Sequence, residues 1–128
     1  MTVPDNLRFT KDHEWVRIEG NKAIVGITDF AQSELGDVVF VELPVIGKKL
    51  AVNENLAVIE SVKAVSDIFA PVAGTVIKAN EVLSDAPETV NQDPYAKGWI
   101  AEIEMTDPAV AGSLLSASEY EAMIKEGD

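Results

Sequence analysis

The chain of 128 residues contains no cysteine. Disulfides, a thiolate nucleophile and a cysteine-based metal site are therefore excluded, and any sulfur chemistry must come from a cofactor. There is one histidine, His13. Alone, it makes a poor zinc site, and no metal is expected. No second histidine follows His13-Glu14 as a metalloprotease motif requires, and no nucleophile-elbow sequence is present. Basic residues are scarce: 10 Lys and Arg face 22 Asp and Glu, a net charge of −12. A chain so short of clustered cations is suited neither to nucleic acid nor to an anionic membrane surface. No apolar run approaches the length that spans a bilayer. Residues 1–10 have neither a signal h-region nor Arg- and Ser-rich transit character, so the expected location is the cytoplasm. The acidity suits docking on basic partner patches, with an encounter that salt weakens.

What is present reads as β structure. The length suits one domain, residues 1–128, with a β core over about 23–105 and a helical segment over about 107–126. Trp15–Ile18 and Ala23–Ile27 are short β runs around Gly20-Asn21, a hairpin whose turn residues accept positive φ. Thr28-Asp29 caps a short helix near 29–35, with Gly36 closing it. Asp37–Leu43 predicts a strand with Val38, Phe40 and Glu42 on one face and Val39, Val41 and Leu43 on the other. Pro44–Lys49 predicts a turn. Further strands are expected at Leu56–Ile59, Ala64–Phe69, Thr75–Ala79 and Trp99–Met105. Ser116-Ala117-Ser118-Glu119 is a capping box, and Tyr120, Met123 and Ile124 form the apolar stripe of a helix near 117–126. Asp107-Pro108 opens a shorter helix before it. Trp15 and Trp99 are expected to be packing residues. The class is mainly β, a small sandwich or barrel of short strands. Leu43-Pro44-Val45-Ile46-Gly47 resembles Ala70-Pro71-Val72-Ala73-Gly74, as two pseudosymmetric β halves would.

Lys63 lies on the connection between those halves. It is the only basic residue between Leu50 and Ile77, within Glu60-Ser61-Val62-Lys63-Ala64-Val65-Ser66-Asp67. Strand-like residues flank it on both sides, which places it at the crest of a tight hairpin. There a long stem with a nucleophilic tip is open to covalent modification. Gly47 and Gly74 are expected to serve tight turns that position the strands.

Glu60-Ser61-Val62-Lys63-Ala64 with Ser66-Asp67 and Ala70-Pro71-Val72-Ala73-Gly74 resembles the lipoyl-attachment motif of the glycine cleavage system H proteins. Gly47 stands sixteen residues before Lys63 and Gly74 eleven after it, as in lipoyl domains. Three more stretches are similar to the same family: Lys11–Val16, Val25–Gln32 with Leu35–Pro44, and Val90–Tyr95 with Gly98-Trp99. Phe69, where tyrosine is common, and Phe30, where tyrosine or histidine is common, are mild departures.

The resemblance implies a lipoyl- or biotinyl-type barrel-sandwich hybrid. It implies a carrier, not an enzyme, with lipoic acid bound to Lys63 as N6-lipoyllysine. Glycine decarboxylase, a pyridoxal-phosphate enzyme, would load an aminomethyl group onto the lipoyl arm. The aminomethyltransferase would pass the carbon to tetrahydrofolate and release ammonia, and dihydrolipoamide dehydrogenase would reoxidise the dithiol. A lipoate ligase, or a lipoyl or octanoyl transferase, would modify Lys63, with Glu60 helping it recognise the hairpin. A loaded aminomethyl group is prone to hydrolysis, so the carrier needs a cleft that excludes water and a carboxylate for the protonated amine. Glu14 is the first candidate; Asp67 and Asp12 follow. Nothing demands more than a monomer. Three other readings use the same lysine: a relay that passes octanoyl or lipoyl groups to other lipoyl domains, a biotin carrier (whose lysine is usually flanked by methionine, here by Val62 and Ala64), and an unmodified interaction domain.

Overall fold

The computed structural model describes residues 2–127. In chain order its strands are β1 (Arg8–Phe9), β2 (Glu14–Glu19), β3 (Lys22–Ile27), β4 (Val38–Glu42), β5 (Lys49–Leu50), β6 (Asn55–Ser61), β7 (Val65–Phe69), β8 (Gly74–Ala79) and β9 (Ala101–Met105). The α-helices are α1 (Asp29–Leu35), α2 (Val82–Asp85), α3 (Thr89–Gln92) and α4 (Ala117–Gly127), and a 3₁₀ segment covers Pro108–Ser113. The strands form two antiparallel sheets, a six-stranded one in the order β1-β2-β3-β9-β8-β5 and a three-stranded one in the order β4-β6-β7. The molecule is mainly β, as its composition of short strands predicts.

The β2–β3 hairpin closes through Gly20 and Asn21, with Glu19 paired to Lys22. Gly20 takes the positive φ, 64°; Asn21 does not share it, the pattern of a type II′ turn. β3 is buried from Ala23 to Ile27 because both its faces are covered. Ala23, Val25 and Ile27 join Val41, Ile59 and Ile68 of the other sheet in the main core. Ile24 faces a second cluster with Phe9, Trp15 and Tyr120. Each large side chain buried in this way contributes roughly 1.5–3 kcal/mol. Phe9 and Tyr120 are stacked, with centroids 4.7 Å apart and planes 10° apart. Gly26 faces Trp15 across the hairpin, and a Cβ there would overlap the indole. The Trp15 ring nitrogen donates to the carbonyl of Pro94 at 2.8 Å.

The capping box forms as its spacing predicts. The Ser116 N–H donates to Glu119 Oε1 at 2.8 Å, and the Glu119 N–H donates to Ser116 Oγ at 3.2 Å. α4 then packs Tyr120, Met123 and Ile124 on the second cluster. Thr28 caps α1 by accepting from the Ala31 N–H, and Gly36, at φ 77°, closes it with a bond to the Gln32 carbonyl.

Four expectations need correction. β4 does not alternate: Val38 and Val41 are buried while Val39 and Phe40 are half exposed, because the pairing with β6 shifts between Val38 and Phe40. A bulge of this kind adds one residue and reverses the facing beyond it. Residues 44–49 are not wholly a turn, since Lys49 and Leu50 pair with Thr75 and Gly74. Gly47 adopts a positive φ of 94°, but Gly74 serves close approach instead of a turn. A Cβ on Gly74 would be driven into the Glu104 carbonyl oxygen of β9. The short helices α2 and α3 fill a stretch for which no element is expected.

Candidate functional site

β6 and β7 run antiparallel with Glu60 opposite Val65, so Val62, Lys63 and Ala64 form the crest between them. Ser61 fixes that crest. Its N–H donates to the Ala64 carbonyl at 2.8 Å, and its hydroxyl accepts from the N–H groups of Ala64 at 3.0 Å and Lys63 at 3.3 Å. A hydroxyl that gathers nearby backbone donors makes a local turn without glycine. The Val62 N–H leaves the hairpin and donates to the Asp37 carbonyl at 3.0 Å. The crest is therefore stiff at its base and tied to the chain between α1 and β4. Lys63 is exposed, and a Cβ on Gly36 would lie 3.4 Å from its Cε. The lysine stem thus passes close over the C-terminal end of α1.

α1 also forms one wall of a cavity of about 320 Å³. Phe30, Ala31, Glu34 and Leu35 line it from the helix, Ile27 from β3, Ser66 and Ile68 from β7, and Asp12 and His13 from the loop before β2. Phe30, Ala31, Glu34 and Leu35 recur at the spacing of one helical face. The cavity adjoins Lys63 through two neighbours. Leu35 precedes Gly36, and Ser66 stands three residues beyond the lysine.

The loop before β2 is wound tightly around Thr10. The hydroxyl of Thr10 accepts from the N–H groups of Asp12 and Glu14, both at 3.2 Å, and donates to Glu14 Oε1 at 2.6 Å. Its carbonyl accepts from the His13 N–H at 3.2 Å. His13 has φ 68°, a left-handed conformation that histidine tolerates better than most residues. Its ring stacks on Phe30 at 4.6 Å, and its Nδ1 lies 2.7 Å from the Tyr120 hydroxyl. The same hydroxyl lies 2.7 Å from Thr28 Oγ1.

The carboxylates singled out from sequence occupy different places. Asp12 lines the cavity. Glu14 is buried, 1% exposed, and is not among the lining residues. Its Oε2 accepts from the Phe69 N–H at 3.3 Å. Burial raises its pKa from 4.5 to about 7, against the lowering effect of the bonds from Thr10 and Phe69; the charge of Asp12 adds a smaller upward push. Asp67 is exposed and accepts from Asn55 Nδ2 at 3.0 Å. Period-two alternation sends it to the face of β7 opposite Ser66. Glu60 is half-buried on β6, between Phe40 of β4 and Val65 of β7. Sequence reasoning missed His13, Phe30, Glu34 and Ser66 as cavity residues. The helical spacing on α1 is the one local signal that could have found part of the wall.

Among the described residues no group of three or more His, Asp or Glu side chains could hold a metal. No helix among them is long and apolar enough to cross a membrane.

Residues 7–127 match the sequence model of the family described as Glycine cleavage H-protein. The chain is 54% identical over 125 residues to a glycine cleavage system H protein of Symbiobacterium thermophilum, covering 98% of each chain. It is 53% identical over 127 residues to one of Geobacillus thermodenitrificans, covering 99% of this chain and 100% of the relative. The fold is similar to a crystal structure of a glycine cleavage system H protein from Mycobacterium marinum. That match has a TM-score of 0.88 and 38% identity, over 96% of this chain and 99% of the other.

Proposed function

The chain belongs to the glycine cleavage H-protein family, and on that premise we propose that Lys63 holds its lipoyl group as an amide, N6-lipoyllysine. Membership makes it a non-catalytic carrier component of the glycine cleavage system. One observation carries the choice of Lys63: it is an exposed lysine on a crest fixed by Ser61 and Asp37, beside a half-apolar cavity. When bound, the lipoyl group supplies a dithiolane, able to take up an aminomethyl group with two electrons, in a chain that has no sulfur nucleophile of its own.

The residues of the chain account for the remainder. The lysine stem lies against Gly36, the residue next to Leu35 of the cavity wall. Ile27, Phe30, Ala31, Leu35 and Ile68 give the cavity apolar walls, which exclude water from a hydrolysable cargo. Asp12 and Glu34 are the carboxylates that line the cavity, within reach of a cationic amine held there. Glu14 buttresses the loop that carries Asp12 and, with a pKa near 7, is partly protonated at neutral pH. Asp67 and Glu60 serve outside the cavity, on the sheet that leads to the crest. There, Glu60 marks the hairpin for the lipoate ligase or the lipoyl or octanoyl transferase. The partners visited in turn are glycine decarboxylase, the aminomethyltransferase and dihydrolipoamide dehydrogenase. The net charge of −12 steers those encounters, which salt slows.

The test is glycine-dependent carbon dioxide exchange by purified glycine decarboxylase with the lipoylated chain as acceptor. Exchange that saturates with the chain and vanishes with Lys63→Arg supports the reading. Exchange that survives the substitution contradicts it.

A further inference from the structure

Asp37 receives a hydrogen bond that ties the crest to the chain outside its hairpin, from Val62, and the residues on either side of Asp37 are held by a single side chain. Asn91, on α3, accepts the Val38 N–H on its Oδ1 at 2.9 Å and donates from its Nδ2 to the Gly36 carbonyl at 2.8 Å. The second Nδ2 hydrogen serves Gln32 Oε1 at 3.1 Å. One amide thus uses its acceptor and both donors, and the bonds to residues 36 and 38 clamp Asp37 between them. Those two residues are also where α1 ends and β4 begins. Gly36 is in addition the residue over which the Lys63 stem passes.

We propose that Asn91 is a positioning residue for Lys63, acting through residues 36–38 and the Val62 N–H to set the height and direction of the crest. This rests on the reading of Lys63 as the attachment lysine. The chemistry is specific to a short side-chain amide. Aspartate at this position keeps an acceptor for Val38 but cannot donate to Gly36 or Gln32. Alanine removes the partner of the Val38 N–H, on a buried residue. Asn80 provides a matched control. It is a buried asparagine that also clamps backbone, donating to the carbonyls of Lys97 and Trp99 at 2.8 Å each, but it has no bond to the crest.

The experiment is amide hydrogen exchange at Val62, normalised to the slowest core amides so that global destabilisation cancels. It compares the parent with Asn91→Ala, Asn91→Asp and Asn80→Ala. The expected result is Val62 exchange faster by about tenfold in both Asn91 variants and unchanged in Asn80→Ala. In parallel, the KM of a lipoate ligase for the chain should rise severalfold in the Asn91 variants with little change in kcat. Should Asn91→Ala not fold, Asn91→Asp decides. Normalised Val62 exchange that stays at the parental rate, or that rises equally in Asn80→Ala, overturns the proposal. The exchange measurement needs no lipoyl group. It can therefore fail while Lys63 is shown to be modified, and it can succeed if Lys63 proves unmodified.

Discussion

The hydroxyl of Tyr120 on α4 lies 2.7 Å from Nδ1 of His13, on the wall of the cavity beside Lys63. The same oxygen reaches Thr28, the residue that caps α1. The C-terminal helix is thereby joined to the two elements that form the cavity wall next to β7. Tyr120→Phe keeps the stack on Phe9 but removes the hydroxyl. The expected cost is about 1–2 kcal/mol, measured by urea unfolding. A midpoint unchanged from the parent would show that the hydroxyl contributes nothing to the fold.

Glu14 makes stability depend on pH. Its pKa is near 7 in the fold and 4.5 ordinarily. Between those values the folded chain holds a proton that the unfolded chain has released. The stabilisation is therefore complete below about pH 4.5 and is lost as pH rises through about 7, by roughly 3 kcal/mol in all. Glu14→Gln cannot ionise. The stability of the variant relative to the parent should rise from pH 5 to pH 8, as measured by denaturant unfolding at each pH. A difference that stays flat across that range would contradict a raised pKa at Glu14.

Ser61 is expected to matter more for modification than for stability. Its hydroxyl bonds lie at the exposed crest, where water can replace them, so Ser61→Ala should cost less than about 1 kcal/mol. The loosened crest should lower the initial rate of lipoylation of Lys63 severalfold. Equal rates for variant and parent would separate the serine from the positioning of the lysine.

The two glycines that bracket the lysine have different reasons, and alanine distinguishes them. At Gly74 a Cβ meets the backbone oxygen of Glu104, which cannot move without breaking the β8–β9 ladder. The expected loss is about 3 kcal/mol or more. At Gly47 nothing lies within 4 Å, and only the positive φ of 94° penalises a side chain, at about 1–2 kcal/mol. Equal losses in thermal unfolding would mean that the close approach at Gly74 relaxes.

Local signals made much of this fold legible. Ser116 and Glu119 form a box because both partners lie within one turn, and Thr28 and Gly36 bound α1 for the same reason. Lys63 stood out because its neighbours favour strand and its hairpin is short. The bulge in β4 was hidden because Val38, Val39, Phe40 and Val41 are all apolar, so a shift of one residue leaves the pattern unchanged. The cavity was legible only in part. Asp12 lies on it, but Glu14 was selected on chemistry that does not report which way a side chain at the start of a strand points. Tyr120 with His13, and Asn91 with Gly36, are contacts between residues 107 and 55 positions apart, which no local periodicity encodes.

Intact and peptide mass of the chain produced in a lipoate-competent host, with Lys63→Arg beside it, decides whether Lys63 carries the lipoyl group. The expected result is one lipoyl group per chain, located on Lys63 and absent from the variant. An octanoyl group on Lys63 would instead mark a relay intermediate. An unmodified Lys63, in the presence of an active ligase and excess lipoate, would mean that Lys63 is not the attachment lysine.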